Sequence, residues 1–218
     1  SLHIKLGALS PEVDVARVKA ISQAVGSEIP LMIDINQGWD YSTAVRTIRQ
    51  LEAFNISMIE QPVPAWNLDD MAKIQAAVDL PISADESLHS IQEAMNLIRH
   101  DAARVFSLKT GKCGGLFRTR QIAAMAEAAG LPCFVNSMIE MGVSVIASLH
   151  LAASVPNLVN HGHALMSNLR IKEDILVPDS FQYDGKDIVV PQDCRGLGVK
   201  IDEEKLAQRT IDRFVLET

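Results

Sequence analysis

Short apolar segments that end on a charged residue recur along the first half of the chain about every 25 residues. They lie at residues 31–34, 57–60, 82–85 and 105–109, and residues 2–5 have the same form one repeat earlier. A buried parallel strand is a brief apolar run, and joining two parallel strands takes a dozen or more residues, usually a helix. The pattern therefore predicts repeated strand–helix units and an α/β fold with a parallel sheet.

The segments between these runs carry helical patterns. Residues 10–12, Ser-Pro-Glu, supply an N-cap, a proline at the first helical position and an early acid, and Gly26 ends the helix that they begin. Further helices are predicted over residues 41–54, 67–78 and 142–154, together with one ending near Arg99 and one ending at Ala129. Strands are predicted at residues 132–135 and 158–160. Beyond His163 the repeat stops, and we expect a hairpin at Asp184-Gly185 and a last helix over residues 203–216.

Charges at the carboxyl ends of successive parallel strands converge on one face of a sheet or barrel. Asp34, Glu60 and Asp85 are therefore expected to share one cavity, with Lys5 and Lys109 on the flanking strands. Carboxylates without histidine or cysteine suit Mg²⁺ or Mn²⁺ better than zinc. A lysine in a desolvated or cationic setting can serve as a base. The same residues also fit a simpler alternative, in which strand-end acids cap helices or form ion pairs.

Composition narrows the class of protein. The chain has 218 residues, is 48% apolar and 22% charged, and carries a net charge of −7 with dispersed basic residues. We therefore expect neither nucleic acid nor an anionic membrane as a partner. No apolar run approaches the roughly 20 residues that span a bilayer. Three cysteines without metal-ligand spacing favour a reducing compartment, and we expect a cytoplasmic protein.

Several motifs together resemble the enolase superfamily, and more narrowly its muconate lactonizing enzyme (muconate cycloisomerase) subgroup. The similarity extends from Ser1 to about His163. The residues that carry it are Lys5, Asp34-x-Asn36, Glu60-Gln61-Pro62, Asp85-Glu86-Ser87, Lys109 with Gly114-Gly115, and Glu140 within residues 136–142.

This resemblance implies a fold and a site. The fold would be a TIM-like (β/α)₇β barrel preceded by an N-terminal capping domain. Mg²⁺ or Mn²⁺ would be bound by Asp34, Glu60 and Asp85, and a small-molecule carboxylate would be the substrate. Lys5 and Lys109 would be the catalytic lysines. Three further residues would orient the ligands, namely Asn36, Glu86 and His3, while Glu140 would orient the substrate or the facing lysine.

The implied reaction removes or returns the proton α to a carboxylate through an enolate intermediate. A muconate-type cycloisomerase is the first expectation. A racemase or epimerase of amino-acid derivatives or dipeptides is the alternative within the superfamily, because both lysines are present. A non-catalytic barrel that acts as a scaffold or binding protein is an alternative of another class.

Two departures from the family pattern change these expectations. His3 stands where the subgroup usually has the first lysine of Lys-x-Lys, so it would depress the pKa of Lys5 less. The first segment, residues 2–5, matches the second barrel strand, so the first βα unit and the capping domain would be lacking. Residues 1–163 would then hold barrel strands two to eight, and residues 164–218 a tail returning toward the capping domain.

An open barrel exposes strand edges. We therefore expect a missing N-terminal segment or a companion chain, and a homo-oligomeric assembly. Residues 1–218 alone are expected to be insoluble or molten. His161 and His163, just past the last predicted strand, are expected at the rim of the active site.

Overall fold

Six parallel strands form one sheet in the computed structural model, which describes residues 1–166, 170–178, 180–185, 187–192 and 194–212. Each strand is hydrogen-bonded to the next one along the chain, so the order in the sheet is the order in the sequence. The strands are β1 (Leu2–Lys5), β2 (Leu31–Asp34), β3 (Ile56–Glu60), β4 (Ile82–Ala84), β5 (Val105–Leu108) and β6 (Cys133–Val135). The predicted α/β fold with a parallel sheet is confirmed, and the sheet is curled, as in part of a barrel.

A helix follows each strand of this sheet. The helices are α1 (Pro11–Val25), α2 (Tyr41–Leu51), α3 (Leu68–Ala77), α4 (Ile91–Arg99), α5 (Leu116–Ala128) and α6 (Gly142–Ser154). The first four begin at side-chain N-caps, each accepting a bond from a backbone N–H of the first turn: Ser10, Asp40, Asn67 and Ser90. The predicted start of α1 and its end at Gly26 are confirmed. Helix α2 ends three residues before the predicted position.

Alternation of side chains along the strands separates two apolar layers. Side chains such as Ile4, Ile33, Ile59 and Phe106 belong to the large core that packs against the helices. Alternate positions on the other face form a second, smaller cluster: Met32, Met58, Val105 and Phe134. Residues two positions further along the same strands, such as Asp34 and Glu60, lie on that inner face, above an apolar floor.

The predicted strand at residues 158–160 is present only as an isolated bridge. Leu158 pairs with Cys133, and Ala164 pairs with Asn136, both parallel to β6. A side-chain carbon at Gly162 would lie 3.9 Å from Ser1 Oγ, so this segment approaches the start of β1. Within the described ranges, β1 is hydrogen-bonded as a strand to β2 alone. Its other edge is therefore without a strand there.

The tail packs against the outer side of α6. Phe181, Leu197 and Val199 contact the cluster that includes Val145 and Ile146. The predicted hairpin is confirmed as β7 (Tyr183–Asp184) and β8 (Asp187–Ile188). Helix α7 (Glu203–Arg209) is shorter than predicted, and residues 213–216 of that prediction lie outside the described residues. None of the helices described is long and apolar enough to cross a membrane.

Candidate active site and metal centre

A cavity of about 480 Å³ lies at the carboxyl ends of the strands. The predicted residues that line it are His3, Lys5, Asn36, Asp85, Glu86 and Lys109. Because the strands pair in register, Lys5 lies beside Asp34 and Asp34 beside Glu60. The sheet thus brings together the residues that the strand-end pattern selected.

Lys5 is held by two oxygen acceptors. Its ammonium donates to a carboxylate oxygen of Asp34 and, over 2.7 Å, to Asn36 Oδ1. Asn36 in turn donates through Nδ2 to Glu86 Oε1 over 3.1 Å. Asn36 has a left-handed backbone with φ of 45°, a conformation that asparagine tolerates better than most residues. These contacts link Lys5 to Glu86 through Asn36, and the orienting role of Asn36 and Glu86 stays a prediction.

Two neighbouring loops pack too closely for side chains. A carbon added to Gly38 would lie 2.9 Å from the carbonyl oxygen of Gly7, and one added to Gly7 would lie 2.9 Å from the Ile35 carbonyl oxygen. Gly7 also has a φ of +87°, which favours glycine. This contact fixes the loop that carries Asn36.

Asp34 and Glu60 are two buried carboxylates on adjacent strands, with 1% and 0% of their surface exposed. Burial, followed by the charge of Glu60, raises the pKa of Asp34 to about 6, although Lys5 opposes the shift. Asn136 Nδ2 donates to Glu60 Oε1 over 3.1 Å. The second oxygen, Glu60 Oε2, is buried and accepts no hydrogen bond in the structure.

His3 lies against this pair of acids. Its Nε2 is 3.1 Å from Glu60 Oε2 and 3.9 Å from Asp34 Oδ2. The shorter contact is not a hydrogen bond, and among the described residues His3 Nε2, like Glu60 Oε2, is buried without one. One ligand atom from each of these three residues lies within 4.8 Å of the other two.

Asp85 is in a different electrostatic setting. Lys109 Nζ lies 2.5 Å from its Oδ2, and Lys112 Nζ lies 2.7 Å from its Oδ1. Burial would raise the pKa of this carboxyl group, but the two ammonium groups outweigh burial and hold the pKa below its usual value. Burial also opposes the charge on Lys109, yet Asp85 and then Glu60 raise the pKa of that lysine.

Lys112 and Gln61 are two site residues to which the sequence analysis gave no role, although Gln61 belongs to the Glu60-Gln61-Pro62 motif. Lys112 donates to the Asp85 carboxylate and also to two carbonyl oxygens, those of Asp85 and Ser107. Gln61 Oε1 accepts from the Asp85 and Ser87 backbone N–H groups and from the Ser87 hydroxyl. The spacing of Lys112 three residues beyond Lys109, in a turn, was the signal that could have indicated it.

Glu140 and the two histidines predicted at the rim, His161 and His163, have different outcomes. Glu140 follows β6 and is half-buried; its neighbours Met138 and Ile139 line the cavity, but Glu140 is not among the described residues that do. The placement of His161 at the rim is wrong. His161 lines a second cavity together with Pro81 and Pro132, which precede β4 and β6, so it lies at the amino ends of the strands. His163 Nδ1 instead accepts a hydrogen bond from the Val135 backbone N–H.

The sequence matches the enolase C-terminal domain-like family over residues 1–205. The chain belongs to this family. It is 36% identical over 202 residues to muconate cycloisomerase 1 of Rhodococcus opacus, covering 93% of this chain and 53% of that protein. It is also 36% identical over 212 residues to an N-succinyl-L-Arg/Lys racemase of Bacillus cereus, covering 97% of this chain and 56% of that protein.

A solved structure agrees with this membership. Muconate cycloisomerase from Pseudomonas fluorescens superposes with a TM-score of 0.89 at 37% identity, covering 95% of this chain and 57% of that one. The resemblance to the muconate lactonizing subgroup of the enolase superfamily is therefore confirmed. The chain spans about half the length of the relatives that it matches.

The residues of this enolase-family chain fit a divalent cation. Asp34 and Glu60 bring two buried carboxylates to one point, Lys5 contacts Asp34, and Glu60 Oε2 accepts no hydrogen bond from the described residues. Oxygen donors of this kind suit a hard divalent ion. A cation there would compensate the two charges that burial disfavours.

Proposed function

We propose that the intact protein containing this chain removes or returns the proton α to a carboxylate, in a cycloisomerisation of a muconate-type diacid. One observation carries this proposal. Lys5 and Lys109 lie at the two ends of a row of carboxylates in one cavity, Lys5 against Asp34 and Lys109 against Asp85. The relatives named above are isomerases of carboxylates, which supports the same reaction class.

A divalent cation, Mg²⁺ or Mn²⁺, is proposed to be held by Asp34, Glu60 and Asp85. When bound, it would supply positive charge against the negative charge that develops on the substrate carboxylate. Asn136 would orient Glu60 through its 3.1 Å hydrogen bond, and Lys112 would orient Asp85.

The chain's own residues would move the proton. Lys5 or Lys109 would take the proton from the α-carbon of the substrate when its Nζ is neutral, or return a proton when its Nζ is protonated, each after release from its carboxylate partner. Lys109 has 10% of its side chain exposed and Lys5 60%, so Lys109 is the better shielded from water. Glu140 is proposed to orient the substrate or the facing lysine. Arg170 also lines the cavity and supplies a cation for a second carboxylate.

A racemase or epimerase of amino-acid derivatives or dipeptides is the second candidate. The observation that favours it is the presence of both lysines, since moving a proton from one face of a carbon to the other needs a base on each side. The 36% identity to an N-succinyl-L-Arg/Lys racemase equals that to the cycloisomerase.

Solvent deuterium exchange tests these proposals. In the intact protein, supplied with Mn²⁺ in ²H₂O, Lys5→Ala and Lys109→Ala are each compared with Lys73→Ala, which removes a surface lysine on α3. For a racemase or epimerase, each site variant should abolish turnover. Each should also abolish deuterium exchange from one substrate enantiomer while retaining exchange from the other. For a cycloisomerase, one variant should abolish exchange and the other should retain it. Full activity in both variants would refute the assignment of the lysines.

We also propose what accompanies this chain in the intact protein and where that protein is located. The edge of β1 without a strand partner, and relatives about twice as long, support a further segment or companion chain that completes a (β/α)₇β barrel and caps the cavity. A homo-oligomer remains a prediction. The three free cysteines support the proposed cytoplasmic location.

A further inference from the structure

We propose that His3 is a ligand of the divalent cation, joining Asp34 and Glu60 through Nε2, and that the site consequently prefers Mn²⁺ to Mg²⁺. This inference rests on the proposed cation site, but it does not depend on which reaction is catalysed. It concerns the position at which this chain departs from its family's usual lysine.

Geometry singles out these three residues. Their ligand atoms lie within 4.8 Å of one another, and within the described part of the chain this is the one group of three histidine, cysteine or acidic residues that meets that condition. Asp85, proposed above as the third carboxylate ligand, lies outside this group while Lys109 and Lys112 contact its two oxygens. Of the four carboxylate oxygens of Asp34 and Glu60, Glu60 Oε2 is the one that accepts no hydrogen bond from the described residues.

The atoms that face each other lack other partners. Glu60 is fully buried, and its Oε2 and His3 Nε2, which lie 3.1 Å apart, are both buried without a hydrogen bond to any described residue. An unpartnered buried polar atom costs free energy. A cation bound by both atoms removes that cost on each side.

Strand geometry and packing fix the histidine ring in place. His3 and Lys5 are two positions apart on β1 and so project to the same face, with His3 one layer deeper in the cavity. The edge of the His3 ring meets Phe134, with 6.1 Å between ring centroids. The ring is therefore restrained where Nε2 faces the acids.

The chemistry of the side chain sets the preference between metals. A neutral imidazole with its proton on Nδ1 presents a lone pair at Nε2, whereas a lysine ammonium in this position has only donors. Imidazole nitrogen is a poor ligand for Mg²⁺, whose sites are built from oxygen donors. It is a better ligand for the first-row divalent metals, the series that begins with Mn²⁺ and includes Zn²⁺. Replacing the usual lysine by His3 thus changes a repelling charge into a ligand.

Binding of Mn²⁺ and Mg²⁺ to the intact protein tests this inference, together with pulsed electron paramagnetic resonance of the Mn²⁺-loaded protein. We expect ¹⁴N modulation from a coordinated imidazole in the unsubstituted protein and its loss in His3→Gln. We also expect His3→Gln to weaken Mn²⁺ binding roughly tenfold or more and Mg²⁺ binding much less. His89→Gln is the matched control, because His89 lines the same cavity but contacts Glu93 rather than the buried acids.

The opposite role for His3 gives the opposite result. If His3 were only a cationic partner of Glu60, its removal would leave Mn²⁺ binding unchanged or strengthen it, and no coordinated nitrogen would be seen; either finding overturns the inference. Asp34→Asn and Glu60→Gln separate the two proposals. If both abolish Mn²⁺ binding while His3→Gln has no effect, only the role of His3 fails. If neither weakens binding, the proposed cation site fails with it.

Discussion

Lys112 is predicted to stabilise the fold by neutralising a buried carboxylate. Its side chain is 6% exposed, and its three ammonium hydrogens face three acceptors: Asp85 Oδ1 at 2.7 Å, the Asp85 carbonyl at 2.7 Å and the Ser107 carbonyl at 3.0 Å. Lys112→Met keeps most of the apolar stem and removes the charge. The change leaves one Asp85 oxygen and two carbonyl groups without this donor.

The magnitude follows from burial. Removing one partner of a buried ion pair costs about 3–5 kcal/mol, and because Lys109 still pairs with Asp85 in this variant, we expect a loss in the free energy of unfolding near the lower end of that range. Lys73→Met is the matched control, since Lys73 pairs over 3.2 Å with Asp70 on the surface of α3 and has 63% of its side chain exposed. A surface pair of this kind contributes less than about 1 kcal/mol.

Urea denaturation of the intact protein measures both variants. Chelator should be present, because a bound cation would stabilise the native state by mass action. Asp85→Asn and the double variant complete a thermodynamic cycle. The sum of the losses in unfolding free energy of the two single variants should exceed the loss of the double variant. If Lys112→Met lies within about 1 kcal/mol of the unsubstituted protein, the carboxylate does not need this lysine and the reasoning is refuted.

Two further predictions concern thiols and a buried amide. At pH 8, iodoacetamide should label the exposed Cys194 and spare Cys133, because burial raises the pKa of Cys133 to about 12 and keeps it a thiol. Peptide mapping of the native protein checks this, and labelled Cys133 would contradict it. Gln61→Ala should lower the free energy of unfolding in urea by about 2–5 kcal/mol, because it leaves buried N–H groups such as that of Asp85 unpaired. Gln50→Ala, at an exposed position of α2, should change it little.

Regular alternation explains which parts of the site the sequence could predict. Asp34 and Glu60 end apolar strands whose register is set by burial, so their meeting on one face followed from the pattern. Lys5 was found in the same way. In contrast, Lys112 comes from a turn after β5, where no periodicity relates sequence to position. Its role depends on the turn folding back over β4, which is a tertiary contact.

The incorrect predictions arise where the pattern of strand and helix weakens. Residues 158–160 have the composition of a strand, yet only a bridge at Leu158 forms, because ladder pairing depends on neighbours that the segment itself does not specify. His161 was placed on the rim by counting it as past the end of a strand. His161 instead lies at the amino ends of the strands, next to Gly162, which approaches Ser1 at the start of β1.

The alternation along β1 means that the polar cavity, as well as the apolar core, restricts the register of this strand. Ile4 and Leu6 are buried toward the helices, while His3 and Lys5 face the acids. A slip of one residue in this strand would place an imidazole and an ammonium in the apolar core and two aliphatic side chains against buried carboxylates. An insertion or deletion within β1 would therefore be disfavoured both by the packing of the core and by the buried acids.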